Sequence, residues 1–270
     1  MKILKIGVGT VVAAISALTL GMFCSAHRNT LKIHRMKTSL STASNAKLKV
    51  FFISDIHRRR VPDRLLEKVR SQVASIDLVI IGGDVAEKGV PVNRVKHNIE
   101  KLSTLGPIYY VWGNNDREIG EDTIRNLISS VGGTILDNES IRIASHPEWI
   151  ITGADDPSSG NTNVQKAVAF DGEYTYQLVA VHNPSLFKKF VEVSDPSLLV
   201  GGHTHGGQIR CGPYGMQLRG TFKETASRAE LISNGYGTTL VPFRFGAPSE
   251  THLLIISYEK RRENSQHAKN

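Results

Sequence analysis

Lys49-Val50-Phe51-Phe52-Ile53-Ser54-Asp55-Ile56-His57 is an apolar run that breaks off at a carboxylate and an imidazole two residues apart. An unbroken apolar run of this length reads as a strand buried on both faces, as in a parallel sheet. The pattern recurs along the chain. Leu78-Val79-Ile80-Ile81 stops at Gly82-Gly83-Asp84, and Ile108-Tyr109-Tyr110-Val111-Trp112 stops at Gly113-Asn114-Asn115-Asp116. Leu178-Val179-Ala180-Val181 stops at His182, and Leu198-Leu199-Val200 stops at Gly201-Gly202-His203-Thr204-His205. Each of these five strands ends on a group able to donate an electron pair.

Helical patterns separate the first three strands. Leu65, Leu66, Val69 and Val73 follow Pro62, and Val92, Val95, Ile99 and Leu102 follow Pro91, each with apolar residues at three-to-four spacing. A proline near the start of each suits a helix amino terminus. Strand, helix, strand, helix, strand builds right-handed crossover units, which put the carboxyl ends of the strands on one edge of an α/β sheet. The donors are therefore expected to converge there.

Asp84 follows two glycines that permit a tight turn, and a carboxylate offers one oxygen to each of two ions. Asn114 adds an amide oxygen, while His57, His182, His203 and His205 add imidazole nitrogens. With Asp55, this mixed oxygen and nitrogen set suits two divalent metal ions such as manganese, iron, zinc or nickel better than calcium. His27, His34, His97, His146, His252 and His267 stand outside such strand ends and read as surface or structural residues.

The chain has 270 residues, 40% hydrophobic and 21% charged, which fits one α/β domain with an ample core and excludes a multispanning membrane protein. Its two cysteines, Cys24 and Cys211, make no disulfide framework and read as unrelated free thiols. Residues 6–24 carry no charge and follow Lys2 and Lys5, nearly the length that spans a hydrocarbon core. Residues 1–26 are expected to form a single-pass membrane anchor at the cell membrane, with a removed signal peptide as the alternative. Arg28, Lys32, Arg35 and Lys37 after the span lean towards a cytoplasmic domain, and a signal-anchor with the domain exported is the other reading. Residues 27–46 read as a linker, 47–258 as the catalytic domain and 259–270 as a polar tail. The net charge of +8 suits an anionic bilayer or substrate. No basic stripe interleaved with aromatics argues for nucleic acid.

Asp55-x-His57, Gly83-Asp84, Gly113-Asn114-Asn115-Asp116, His182 and Gly202-His203-Thr204-His205-Gly206-Gly207-Gln208, in this order, resemble the calcineurin-like metallophosphoesterase superfamily. The last motif resembles a bacterial membrane-associated branch that includes UDP-diacylglucosamine pyrophosphatases. The likeness runs from about Lys47 to Tyr258 and includes Gly235-Tyr236-Gly237 and Pro242-Phe243-Arg244. It implies a two-sheet β-sandwich flanked by helices. It implies that Asp55, His57, Asp84 and His205 hold one metal, and Asp84, Asn114, His182 and His203 the other. Asp84, Asn114, Asn115, Asp116 and His182 form the implied catalytic set, with a hydroxide shared by the ions attacking phosphorus in line with the leaving oxygen.

The chain departs from the family at Asn115, where a histidine usually touches phosphate or protonates the leaving group. An amide donates a hydrogen bond but supplies no proton near neutral pH. A diester or pyrophosphate therefore fits better than an alkyl monoester. Asp116 keeps the usual acid, which orients the neighbouring site. Arg58, Arg59 and Arg60 are placed at the mouth, facing a substrate phosphate or solvent. The expected substrate is a phosphorylated small molecule, lipid-linked or nucleotide-sugar. The alternatives are a non-catalytic metal-binding scaffold and a nuclease of the same superfamily.

Overall fold

A computed structural model describes residues 2–40, 47–225 and 227–260. The first half holds α1 (Lys2–Ala26), β1 (Thr30–Leu40), β2 (Lys47–Ile53), α2 (Asp63–Arg70), β3 (Leu78–Ile81), α3 (Val92–Ser103), β4 (Ile108–Tyr110), α4 (Glu121–Ser130) and β5 (Thr134–Ile135). The second half holds β6 (Glu139–Arg142), β7 (Trp149–Gly153), α5 (Val164–Val168), β8 (Tyr176–Ala180), α6 (Phe187–Ser194), β9 (Leu198–Gly201), β10 (Thr221–Glu224), β11 (Ala229–Ile232) and β12 (Glu250–Lys260). The strands form two sheets, ordered β1-β12-β2-β3-β4-β5 and β10-β11-β9-β8-β7-β6. The architecture is the expected α/β sandwich of two mixed sheets flanked by helices.

Strand parity explains the layers. Successive side chains point to opposite faces, so Val50 and Phe52 of β2 enter the core between the sheets with Ile80, Leu178, Val200 and Leu254. Phe51 and Ile53 point the other way and pack with Leu65 and Val69 of α2 and Ile99 of α3. On the second sheet, Val179 and Leu199 meet Val164 of α5 and Phe190 of α6. Both faces of the central strands are buried, which is why their sequences are continuously apolar.

β2, β3 and β4 are parallel in register Val50↔Leu78 and Val79↔Ile108, and β8 and β9 are parallel in the second sheet. The donors therefore come from two sheets rather than one. Asp55, Asp84 and Asn114 follow strands of the first, and His182, His203 and His205 follow strands of the second.

The linker expectation for residues 27–46 is corrected. Thr30–Leu40 is an edge strand, parallel to β12 from Thr30↔Glu250 to Leu40↔Lys260. Leu31 and Ile33 alternate onto the outer core while Lys32 pairs with the buried carboxylate of Glu250 at 2.5 Å. Lys32 is thus a neutralised structural charge, and charged side chains suit a sheet edge. Residues 41–46 of that span lie outside the described residues, as do residues 261–270 of the expected tail, and β12 itself continues to Lys260. Both cysteines are free and exposed.

At the amino ends of the parallel strands, opposite the donors, His146 Nε2 lies 3.6 Å from Asp77 Oδ2, and its Nδ1 lies 3.0 Å from the Tyr258 hydroxyl. Asp77 raises the His146 pKa above 6.5. Burial works the other way on Asp77, yet His146 and the backbone N–H of Lys49 draw its carboxyl below 3.8. Between these two ordinary values the pair contributes in full, and as pH rises through the elevated His146 pKa its contribution is lost. In urea unfolding followed from mildly acidic to mildly alkaline pH, the wild-type advantage over His146→Gln is expected to shrink. A constant difference would show that this contact is not linked to protonation.

Candidate metal centre

The turns after the donor-bearing strands have unusual backbones. Asp55 (φ 56°), His57 (φ 50°), Asp84 (φ 51°), His203 (φ 68°) and His205 (φ 49°) all occupy the left-handed region. Only four other non-glycine residues do so among those described, Asn138, Asp195, Gln208 and Leu240. Such conformations cost energy and persist only where the surroundings impose them. Here they turn consecutive side chains inward from the ends of the strands.

Asp116 holds two of these turns together. It is fully buried, and its Oδ2 accepts from the backbone N–H groups of Gly113 at 2.7 Å and Asp84 at 2.9 Å, while Oδ1 accepts from Val85 at 2.8 Å. Burial and the neighbouring Asp84 charge push its pKa up to about 6. Its oxygens serve the backbone, so within the expected catalytic set it is a positioning residue, in keeping with the orienting part the resemblance implied. Gly113 is required beside it, because an added Cβ would collide with the backbone nitrogen and carboxylate of Asp84.

The remaining donors converge in two adjoining groups. His57 Nε2 lies 3.1 Å from His205 Nε2, and His205 Nε2 lies 3.3 Å from Asp55 Oδ1. Across the centre, Asn114 Oδ1 lies 3.1 Å from His182 Nε2 and 2.9 Å from His203 Nδ1. Asp84 Oδ2 stands between them, 3.7 Å from His57 Nε2 and 3.5 Å from His182 Nε2. Asp55, His57 and His205 form one cluster of metal-ligating geometry, and Asp55, Asp84 and His182 another.

The imidazoles are held from behind. His182 Nδ1 is 2.9 Å from the carbonyl of Gly82, and His57 Nδ1 is 3.0 Å from Glu87 Oε2. A proton on each Nδ1 leaves Nε2 as the ligating atom, the arrangement that orients metal-bound histidines. Burial opposes charge on His182, but Asp84 outweighs it and raises the group up to about 10. Burial, reinforced by His57 and Arg244, pushes His205 down to about 4. The carboxylates thus favour a cation beside His182, whereas His205 is held neutral, with its lone pair free to ligate.

Glu87 was not singled out from sequence, and Arg244 entered only within the Pro242-Phe243-Arg244 segment. Glu87 and Arg244 bear on ligands directly, and the only sequence sign of Glu87 is its place three residues beyond Asp84. Arg244 is fully buried, and its guanidinium donates to the carbonyls of His205 at 3.1 Å, Ala247 at 2.9 Å and Asn234 at 2.7 Å. Asn115 donates from Nδ2 to Asp84 Oδ2 at 2.7 Å and from its backbone N–H to Oδ1 at 2.8 Å. Arg59 lies along the cleft as expected, and its guanidinium also stacks 3.7 Å from the Tyr236 ring centroid and donates to the carbonyls of His27 and Arg28, each at 3.1 Å. Arg58 pairs with Glu87, and with Arg60 and Arg94 it lines an open cleft of about 990 Å³ that also contains Asn115 and Glu87.

The family profile for calcineurin-like phosphoesterases matches residues 48–207, the span that carries every donor. The chain belongs to the calcineurin-like phosphoesterase family. It is similar to the uncharacterized protein YpbG of Bacillus subtilis, 39% identical over 92% of this chain and 95% of that one. It is also similar to phosphodiesterase YaeI of Escherichia coli, 29% identical over 61% of this chain and 63% of that one. A bovine transmembrane protein with a metallophosphoesterase domain is 26% identical over 83% of this chain, which spans about half of it (55%). As a member of the calcineurin-like phosphoesterases, the chain is a metal-dependent phosphoester hydrolase with divalent ions as its cofactors.

Gly235, outside the profile match, packs directly against Asp55 of the calcineurin-like centre. Its φ is +76°, and a Cβ there would sit 2.8 Å from the Cβ of Asp55. Gly235→Ala combines left-handed strain of roughly 1–2 kcal/mol with displacement of Asp55. Calorimetric titration with manganese is expected to show weakened binding, and unchanged affinity would remove Asp55 from the centre.

Proposed function

We propose that the chain is a membrane-anchored binuclear phosphoesterase that hydrolyses a phosphodiester or pyrophosphate bond of a lipid-linked or nucleotide-sugar substrate. The carrying observation is Asp84 Oδ2, placed 3.7 Å from His57 Nε2 and 3.5 Å from His182 Nε2, where one carboxylate serves two adjoining donor groups. Asp55, His57, Asp84 and His205 hold one ion in this reading, and Asp84, Asn114, His182 and His203 the other. Bound divalent ions supply an acidified water and neutralise charge on the phosphoryl oxygens.

The chain's own groups do the rest. Glu87 and Gly82 fix the imidazoles from behind, and Asn115 holds the shared carboxylate. Because Asn115 is an amide, no proton reaches the leaving group from this position. A leaving group stable without one, such as a phosphate or an activated alkoxide, is handled best. Arg60, Arg64 and Arg94 around the cleft suit an anionic substrate. The name of the Escherichia coli relative, a phosphodiesterase, supports the diester reading. α1 contains an apolar stretch, Gly9–Ala26, with a mean hydropathy of 1.7 and 6% of it buried, which supports an anchor.

Manganese-dependent hydrolysis of bis(p-nitrophenyl) phosphate tests the assignment. Asp84→Ala is expected to lose at least about a hundredfold in rate, since metal stabilisation is worth several kcal/mol. Equal turnover in wild type and variant would end the enzyme reading. Asn115→His is expected to raise the monoester rate relative to the diester rate, and an unchanged ratio would overturn the role given to the amide.

A further inference from the structure

Two segments beyond the family match, residues 208–218 and 238–245, form one surface beside the cleft. Gln208 stitches them, donating from Nε2 to the carbonyls of Thr239 at 2.9 Å and Val241 at 3.0 Å and accepting from the N–H of Thr239 at 3.0 Å. The backbone N–H of Arg210 donates to Phe245 O at 2.9 Å, and that of Phe245 to Gln208 O at 2.9 Å. The nearly buried Arg210 guanidinium braces the first segment through the carbonyls of Gly212, Pro213 and Gln217. The surface is built, and its outward side chains are apolar. Leu240 is 98% exposed, Met216 91%, Tyr214 80% and Leu218 65%, with Val241 and Phe245 each at 43%. Leu240 also sits at φ 60°, a costly backbone for a bulky residue, with its side chain held away from the protein. A cluster of large apolar side chains displayed by a braced backbone marks an interaction surface.

The apolar helix fixes the partner. The N–H of Arg244 donates to Met22 O at 3.1 Å, and that of Ser249 to Ser25 O at 3.4 Å. Met22 lies four residues inside the end of the apolar stretch Gly9–Ala26, about 6 Å of helix rise. A backbone bonded at that level sits at the depth where interfacial apolar side chains bury, roughly 5–10 Å into the headgroup and acyl boundary. Arg60, Arg64 and Arg94 ring the adjoining cleft, and Arg64 and Lys68 stand beside Phe23 and Cys24 of the helix. Cations around an apolar patch, with a tyrosine among them, complement an anionic lipid surface.

We infer that residues 208–218 and 238–245 dip into an anionic bilayer beside α1 and seat the cleft on the headgroup layer. The inference rests on the anchor reading of α1. It makes the bilayer part of the entrance: an amphiphile reaches the centre laterally, with its phosphate already among the arginines.

The full chain, reconstituted in vesicles of phosphatidylglycerol and phosphatidylcholine, carries a polarity-sensitive fluorophore on one cysteine at a time, with brominated acyl chains as quencher. Native Cys24 in a Cys211→Ser background reports the helix. Leu240→Cys and Met216→Cys, with both native cysteines replaced by serine, report the two segments, and Val193→Cys on α6 is the exposed apolar reference. Intensity is expected to fall on bromination at Cys24, Leu240→Cys and Met216→Cys but not at Val193→Cys, with aqueous iodide giving the reverse order. Quenching at Cys24 alone overturns the inference and leaves the anchor standing. An unquenched Cys24 overturns both, and a spectral shift at Leu240→Cys that follows protein concentration rather than bromination assigns the patch to a second copy instead.

Discussion

Three backbone N–H groups converge on the sealed carboxylate of Asp116, and the centre depends on that convergence. They belong to the turns after β3 and β4, which carry Asp84 and Asn114. Buried away from water, each N–H would be costly unpaired. One acid satisfies all of them and so sets the distance between the turns. The left-handed Asp55 and His57 are likewise held through backbone hydrogen bonds to the turn after β3. The N–H of His57 donates to Asp84 O at 3.1 Å and that of Asp55 to Gly83 O at 3.0 Å. Preorganisation of this kind lets donors with mutually unfavourable charges remain close together.

Electrostatics then divides the molecule. Carboxylates and imidazoles fill the centre, whereas arginines line the cleft leading to it, so a cation and an arriving anion would be served by adjacent regions of different chemistry. Arg244 joins this arrangement to the helix. Its backbone N–H donates to Met22 O while its side chain braces His205, at 3.1 Å in each case. Arg59 makes a second join, between Tyr236 and the carbonyls of residues 27 and 28. The apolar helix and the metal centre therefore share supporting residues.

Much of the centre was legible in the linear pattern, because a strand that stops on a carboxylate or imidazole announces both its own end and the place of its donor. Asp55, His57, Asp84, Asn114, His182, His203 and His205 were found in this way, and the structure brings all of them together. Asp116 was found with an orienting part implied by the resemblance, and its burial beneath two turns shows what it orients, the backbone. Glu87 and Arg210 left little trace, since a lone charged residue in a loop looks alike whether it is solvated or buried, and Arg244 was marked only as the end of the Pro242-Phe243-Arg244 segment.

By itself the sequence determined the parallel strands, their crossover helices and the identity of the donors, since apolar periodicity and strand-end chemistry are local properties. Tertiary structure decided which sheet supplies each donor, that Thr30–Leu40 pairs with β12, and that Arg59, beside the cleft, also clamps the helix end. These depend on contacts between residues far apart in the chain, such as Thr30 with Glu250 and Arg59 with Tyr236. No local propensity encodes such pairings; they are selected by the burial that the assembled sheets make available.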